Sequence, residues 1–356
     1  VRAPRYGYRG PACEFTVVRY LARLVGLALT RIVASAVRVL SFDCEYPRRE
    51  KQWLVNVIRS DGAELQQVNT NIRLSVRDLQ AVFAAAPRLQ VLNAGVIDYC
   101  TALIPVLRNE PPFGQLRVSE LFASFQDELD NGGVLALAAA VAAHESLKVL
   151  NIQQAHLARG VNAMLDAAAE RQVSRLQIHR CNLDADTVPA LARLLQRGSL
   201  TSLVVDCFGF PEAPEESVLE LWAALRSCRT LEHVKFVLNP PENVTRRVVA
   251  ELLNAAASLP ALSELSICAS AVQDKVDAGR ALGVLLGANL PSLRILRVSD
   301  CALGDEALAP LLDGLAVNTH LRELDCQFFN SLSEPFMRDR LRPALTALMA
   351  RAQLDA

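Results

Sequence analysis

Residues 293–329 state a pattern once and then begin it again. Apolar residues fall at Leu293, Leu296 and Val298, with Cys301 and Leu303 after them, and an Ala/Leu-rich run follows. At Leu321 the opening resumes with Leu324 and Cys326, a distance of 321 − 293 = 28 residues. Self-similarity at such a period marks a chain built from stacked supersecondary units, none of which buries its apolar face alone. Leu296 and Val298 alternate with Arg297, as in a strand buried on one face. The run 305–315 has the composition and length of a helix. Each unit is therefore predicted to be a strand followed by a helix, in an α/β solenoid. Helices are wider than strands, so the stack is expected to bend into a horseshoe with parallel strands on the concave face and helices on the convex face.

The same frame recurs upstream. Anchor triads stand at Leu147/Leu150/Ile152, Val173/Leu176/Ile178, Leu200/Leu203/Val205, Leu231/Val234/Phe236 and Leu262/Leu265/Ile267. Helix-favouring stretches at 188–196, 215–225, 246–257 and 277–286 fill the intervals. Asn239-Pro240-Pro241 breaks the chain after one strand, and Pro260 and Pro291 fall where a helix has to stop. Toward the N-terminus the pattern decays. Val37/Leu40/Phe42, Leu65/Val68/Thr70 and Leu89/Leu92/Ala94 are weaker copies, and Leu116/Ser119/Leu121 is a poor one. The domain reading is an irregular segment with a capping helix over 1–36 and a repeat array over 37–356, degenerate to about 146 and regular from 147.

Two copies, VSRLQIHRCNLDADTVPALARLL (173–195) and LRILRVSDCALGDEALAPLLDGL (293–315), carry a strand, a C-x-L turn and a full helix. In this they resemble the ribonuclease-inhibitor-like leucine-rich repeat family. The likeness covers residues 147–348 well and 37–121 loosely. It implies a rigid, non-enzymatic protein–protein interaction module. It also leaves open a regulator of a GTPase or other enzyme, or the sensor or substrate-receptor part of a longer immune-receptor or ubiquitin-ligase protein. Activators of this kind typically carry an acidic C-terminal tail; this chain ends RAQLDA.

Composition narrows the partners. A net charge of −1 supplies no global field for nucleic acid, and 5% aromatic residues offer few base-stacking platforms. The nine cysteines are dispersed without a C-x-x-C pair, several at one repeat position, and read as reduced, buried thiols. That usage favours a cytosolic or nuclear setting over the single sequon at Asn243. The apolar run 17–40 is interrupted by Arg19, Arg23, Arg31 and Arg38, so a buried amphipathic helix running into a strand is expected, not a membrane span. The expected partner is a protein, with neither nucleic acid nor membrane, and no cofactor.

No nucleotide-binding, zinc-protease or serine-hydrolase motif occurs, so no catalytic or metal site is expected. The five histidines are scattered among the repeats, with His179 and His233 expected to face outward. Asp127, Glu128 and Asp130 read as a solvated loop, residues 211–216 (PEAPEE) as a surface insertion, Trp222 as core and Trp53 as a cap. The informative surface is the strand face. Residues between anchors line up in columns about 4.8 Å apart. One column reads Asn151, Gln177, Val204, Lys235, Ser266, Arg297, Asp325. Its neighbour reads Val149, Arg175, Ser202, His233, Glu264, Ile295, Glu323. A third reads Gln153, His179, Asp206, Val237, Cys268, Ser299, Gln327. Candidate partner-binding residues are the polar members Asn151, Gln153, Arg175, Gln177, His179, Asp206, His233, Lys235, Glu264, Arg297, Ser299, Glu323 and Asp325. Arg297 is expected to pair with Asp325, and His233 with Glu264.

Overall fold

The structure is a computed structural model. It describes residues 5–9, 14–18, 39–42, 55–56, 58–59, 64–70, 75–94, 103–110, 119–124, 131–153, 158–181, 185–207, 214–238, 248–269, 275–299, 301–326 and 331–354. The chain divides into two compact units, Val1–Val173 and Ser174–Ala356.

In the first unit, β1 (Arg5–Arg9) and β2 (Glu14–Val18) form an antiparallel pair, and β1 also runs antiparallel to β3 (Val39–Phe42). From β3 onward every pairing is parallel, through β4 (Gln67–Thr70), β5 (Val91–Ala94), β6 (Glu120–Ser124) and β7 (Val149–Gln153). Helices α1 (Val76–Ala85), α2 (Leu103–Leu107), α3 (Asn131–Ala143) and α4 (Ala158–Arg171) alternate with these strands. In the second unit all strands are parallel: β8 (Arg175–His179), β9 (Ser202–Cys207), β10 (His233–Leu238), β11 (Glu264–Ala269), β12 (Ile295–Ser299) and β13 (Glu323–Asp325). Between them lie α5 (Thr187–Gln196), α6 (Glu215–Ser227), α7 (Val248–Ala256), α8 (Lys275–Gly287) and α9 (Asp305–Val317). Each unit thus has the one-strand, one-helix alternation expected of a horseshoe solenoid.

Burial follows the anchor triads. Every anchor from Leu147 to Cys326 is buried, and β11 and β12 alternate buried and half-buried residues. Cys181 and Cys301 are buried as the chain leaves β8 and β12, and each thiol donates to the carbonyl two residues back, His179 and Ser299 (3.3 and 3.2 Å). A compact thiol therefore bonds the backbone locally at each of these positions. Trp222 of α6 is 1% exposed and meets the edge of Phe236 on β10 at 5.0 Å, tying helix to strand within the core.

Two expectations are corrected in the first unit. Leu121, read above as the last anchor of its triad, pairs with Leu150, and Ala123 pairs with Ile152. The true frame is therefore two residues later, and the poor match arose because Ala123 is too small to register as an anchor. The strands β1 and β2 fall where an irregular segment and the start of a helix were expected. Tyr6 and Tyr8 on one strand and Phe15 to Val18 on the other are aromatic or β-branched, and paired across a ladder such residues favour the extended state. The rest of the expected capping helix, Trp53 and the acidic run at 127–130 lie outside the described residues. Among the described residues no helix is long and apolar enough to cross a membrane.

The second unit closes with α10 (Glu334–Phe336), a π-helical turn (Met337–Leu341) and α11 (Arg342–Leu354). Ser333 caps α10 and reaches back to Asp305 at the start of α9, its amide at 2.9 Å and its hydroxyl at 2.5 Å. Those two bonds hold the Asp305 carboxyl below the usual carboxylate range. At the other end of α11, Arg351 donates to the Asn318 carbonyl. The helical segment from α10 through α11 is thus fastened near both of its ends by polar contacts, with Leu341 and Leu348 buried between them.

Candidate functional site: a polar strand face in the second unit

Because parallel ladders run in register, side chains of equal phase stack from strand to strand. The pairings Gln177↔Val204↔Lys235↔Ser266↔Arg297↔Asp325 reproduce the first expected column within this unit. Arg175↔Ser202↔His233↔Glu264↔Ile295↔Glu323 reproduces the second. The third runs His179↔Asp206↔Val237↔Cys268↔Ser299; Gln327 lies outside the described residues. Arg175, His233, Lys235 and Glu323 are exposed, and the other polar members of these columns are half-buried.

Asn151 departs from the expectation. It is 2% exposed, and its strand neighbour Val149 is 8% exposed, so β7 is covered on both faces. The column reading assumed one open face, which a parallel strand need not have. Asn151 is therefore a buried amide of the first unit and not a contact residue. Gln153 also lies on β7, and its side chain is outside the described set.

The charges on the second-unit face are mostly satisfied within it. Arg297 does not pair with Asp325, its lateral neighbour. Its guanidinium reaches back along the strand, donating to Glu323 Oε1 through Nε (3.0 Å) and Nη2 (2.8 Å) and to Glu264 through Nη1. Both carboxylates share the register of Ile295, two residues earlier, so one long side chain spans them over that residue. Burial works to lower the Arg297 pKa, but the Glu323 bond and the charges of Glu264 and Glu323 outweigh it and hold it above its ordinary value. With Arg297 34% exposed, each pair contributes at most ~1 kcal/mol. His233 Nδ1 stands 3.8 Å from Glu264, in line with the expected pairing, and 3.4 Å from the Ser263 hydroxyl. His179 bridges Asp206 and Gln177, at 3.4 Å to each. These contacts orient the side chains within the face. Among the described residues no group of three or more His, Cys, Asp or Glu is placed to hold a metal ion.

The helix layer holds two features that periodicity did not disclose. His144 and Asn318, both buried, stand three residues before anchors Leu147 and Leu321. Each bonds a carbonyl at the C-terminal end of the preceding helix: His144 Nδ1 to Leu107 at 2.9 Å, and Asn318 Nδ2 to Leu286 at 2.9 Å. The signal in the sequence was a polar residue at one fixed phase of the repeat. The second feature is a furrow of about 540 Å³ between α5 and α6, floored by Ala192, Ala223 and Ala224 and edged by Arg193, Gln196 and Glu220.

Burial and the charge of Asp325 push the Cys326 thiol up to about 12, from an ordinary 9.0. The sign follows directly. The folded state holds the proton more tightly, so stability is unaffected below pH 9 and falls between about pH 9 and 12, where only the unfolded thiol ionises. Cys326 is accordingly expected to resist alkylation by iodoacetamide at pH 8 in the folded chain. Cys326→Ala should flatten the loss of stability above pH 9; an unchanged alkaline limb in urea titrations at rising pH would sink this assignment.

No protein-family model matches the chain, and no curated protein matches it.

Proposed function

We propose that the chain is a leucine-rich repeat protein of the ribonuclease-inhibitor-like type, acting as a non-enzymatic interaction module. Its partner is another protein, held against the strand face of the second unit. The observation that carries this reading is the separation of roles along each strand. Every anchor from Leu147 to Cys326 is buried, while in the second unit the residues between them form in-register columns of exposed or half-buried, mostly polar side chains. A backbone ladder fixes those columns before any partner arrives, so little ordering cost is left for binding.

The test uses the full chain as bait and compares one surface with the other. Val204→Arg and Ser266→Arg place bulk on the strand face, whereas Glu220→Arg does so on the helix layer. A partner recovered by affinity capture is expected to lose about tenfold or more in affinity for each strand-face variant. Its affinity for the helix-layer variant should stay within about twofold. Circular dichroism melts of the three variants would confirm intact folding, and the reverse ranking would overturn the assignment.

A further inference from the structure

On the strand face the carboxylates and cations are unequally engaged. Asp206 is held by His179, and Glu264 and Glu323 share Arg297. Arg175 on β8 and Lys235 on β10 are both exposed, and among the described residues their side chains make no hydrogen bond or ion pair. Between them β9 presents Ser202 and Val204, short and uncharged, with Arg175 and His233 flanking the first and Gln177 and Lys235 the second. The result is a low strip along β9 with a cation on either side, closed at its C-terminal end by the His179–Asp206 pair. We propose that this strip receives an acidic segment of the partner protein. The inference rests on the strand-face reading above and assigns it a ligand chemistry.

Geometry sets the spacing of the acidic residues. Arg175 and Lys235 lie two strands and two residues apart, about 10 Å across and about 7 Å along, or about 12 Å on the diagonal. Two carboxylates three or four residues apart in an extended segment crossing β9, about 10–13 Å, therefore reach both cations. A nucleic acid fits less well. Asp206, Glu264, Glu323 and Asp325 share the face and repel a continuous polyanion, and no Phe, Tyr or Trp stands in the second unit's described columns to stack a base. An acidic peptide can place its charges discretely between those carboxylates.

The lysine content makes the test site-specific, because Lys51, Lys148, Lys235 and Lys275 are the only lysines. The probes are fluorescent peptides of about ten residues, one alternating Glu and Gly and one alternating Lys and Gly, with an oligothymidylate of equal length. At low ionic strength the Glu peptide is expected to bind best, with affinity falling about fivefold on Arg175→Gln and about tenfold or more when Lys235→Gln is added. Lys275→Gln on the helix layer should leave it unchanged. Carbodiimide coupling of peptide carboxylates to amines is expected to concentrate on Lys235 over Lys148 and Lys275, and Arg175→Gln should lower that yield. Even labelling of Lys148, Lys235 and Lys275 would overturn the proposal, as would equal or tighter binding of the Lys peptide or the oligothymidylate. If Val204→Arg abolishes partner binding while the peptide test fails, the strand-face reading survives and the acidic ligand alone falls. If neither strand-face substitution affects the partner, the broader reading fails first.

Discussion

Gly279→Ala should destabilise the second unit by about 3 kcal/mol, although the substitution ordinarily strengthens a helix by about 1 kcal/mol. A Cβ at Gly279 would lie 1.8 Å from the Ala307 carbonyl oxygen and 2.6 Å from its carbon. No side-chain rotation relieves that overlap, because the obstacle is the backbone of α9. The approach is continuous along the pair: Gly283 would meet the Pro310 oxygen at 2.6 Å, and Gly314 would meet the Gly283 oxygen at 2.5 Å. Helices α8 and α9 therefore pack backbone to backbone through small residues, and any added methyl has to push α9 outward. Gly287, at the end of the same helix, has nothing within 4 Å of its built Cβ. Gly287→Ala should accordingly be neutral or stabilising by up to about 1 kcal/mol. Urea unfolding with hydrogen exchange of the α8 and α9 amides measures both, and equal effects from the two substitutions would refute the close-packing account.

That contact shows where sequence reading stops. The anchors could be read because a strand buried on one side has a period of two, and the columns followed because parallel ladders preserve phase. Leu293, Leu296 and Val298 thus located Arg297 on the face, yet not the direction of its side chain. Its reach to Glu264 and Glu323 is a property of a long, flexible group choosing two diagonal carboxylates over the lateral Asp325. Asn151 was misplaced for a different reason: its phase was right, but what covers the outer face of β7 is not written in the phase of β7 itself. Gly279 and Gly283 read only as weak helix formers, since the distance between two helices is set by residues far apart in the chain. The N-terminal decay of the pattern had a similar cause at β6, where a small Ala123 occupies an anchor position and hides the frame.

Asn318 is the second position at which one substitution should cost most of a repeat's stability margin. Its amide donates to Leu286 at the end of α8, while its side-chain oxygen accepts from the amides of His320 (3.1 Å) and Leu321 (2.8 Å). Its own carbonyl accepts from Arg351 of α11. The residue is fully buried, so one side chain adds a second bond to the Leu286 carbonyl, which also accepts from the Asn289 amide, and satisfies two amides of the turn into β13. Asn318→Leu keeps the branched shape but leaves the His320 and Leu321 amides without their acceptor in a dry site, at an expected cost of about 3 kcal/mol. The chain itself supplies the control, since His144 takes the same repeat phase and bonds Leu107 through Nδ1. Asn318→His should therefore recover part of the loss by restoring the bond to Leu286. Because Arg351 bonds the backbone carbonyl and not the amide, it should remain docked in both variants. Thermal melts that rank wild type above Asn318→His and Asn318→His above Asn318→Leu would bear this out. Equal loss in both substitutions would mean that the site requires the amide's two-sided bonding, and that the parallel with His144 is one of position without equivalence of role.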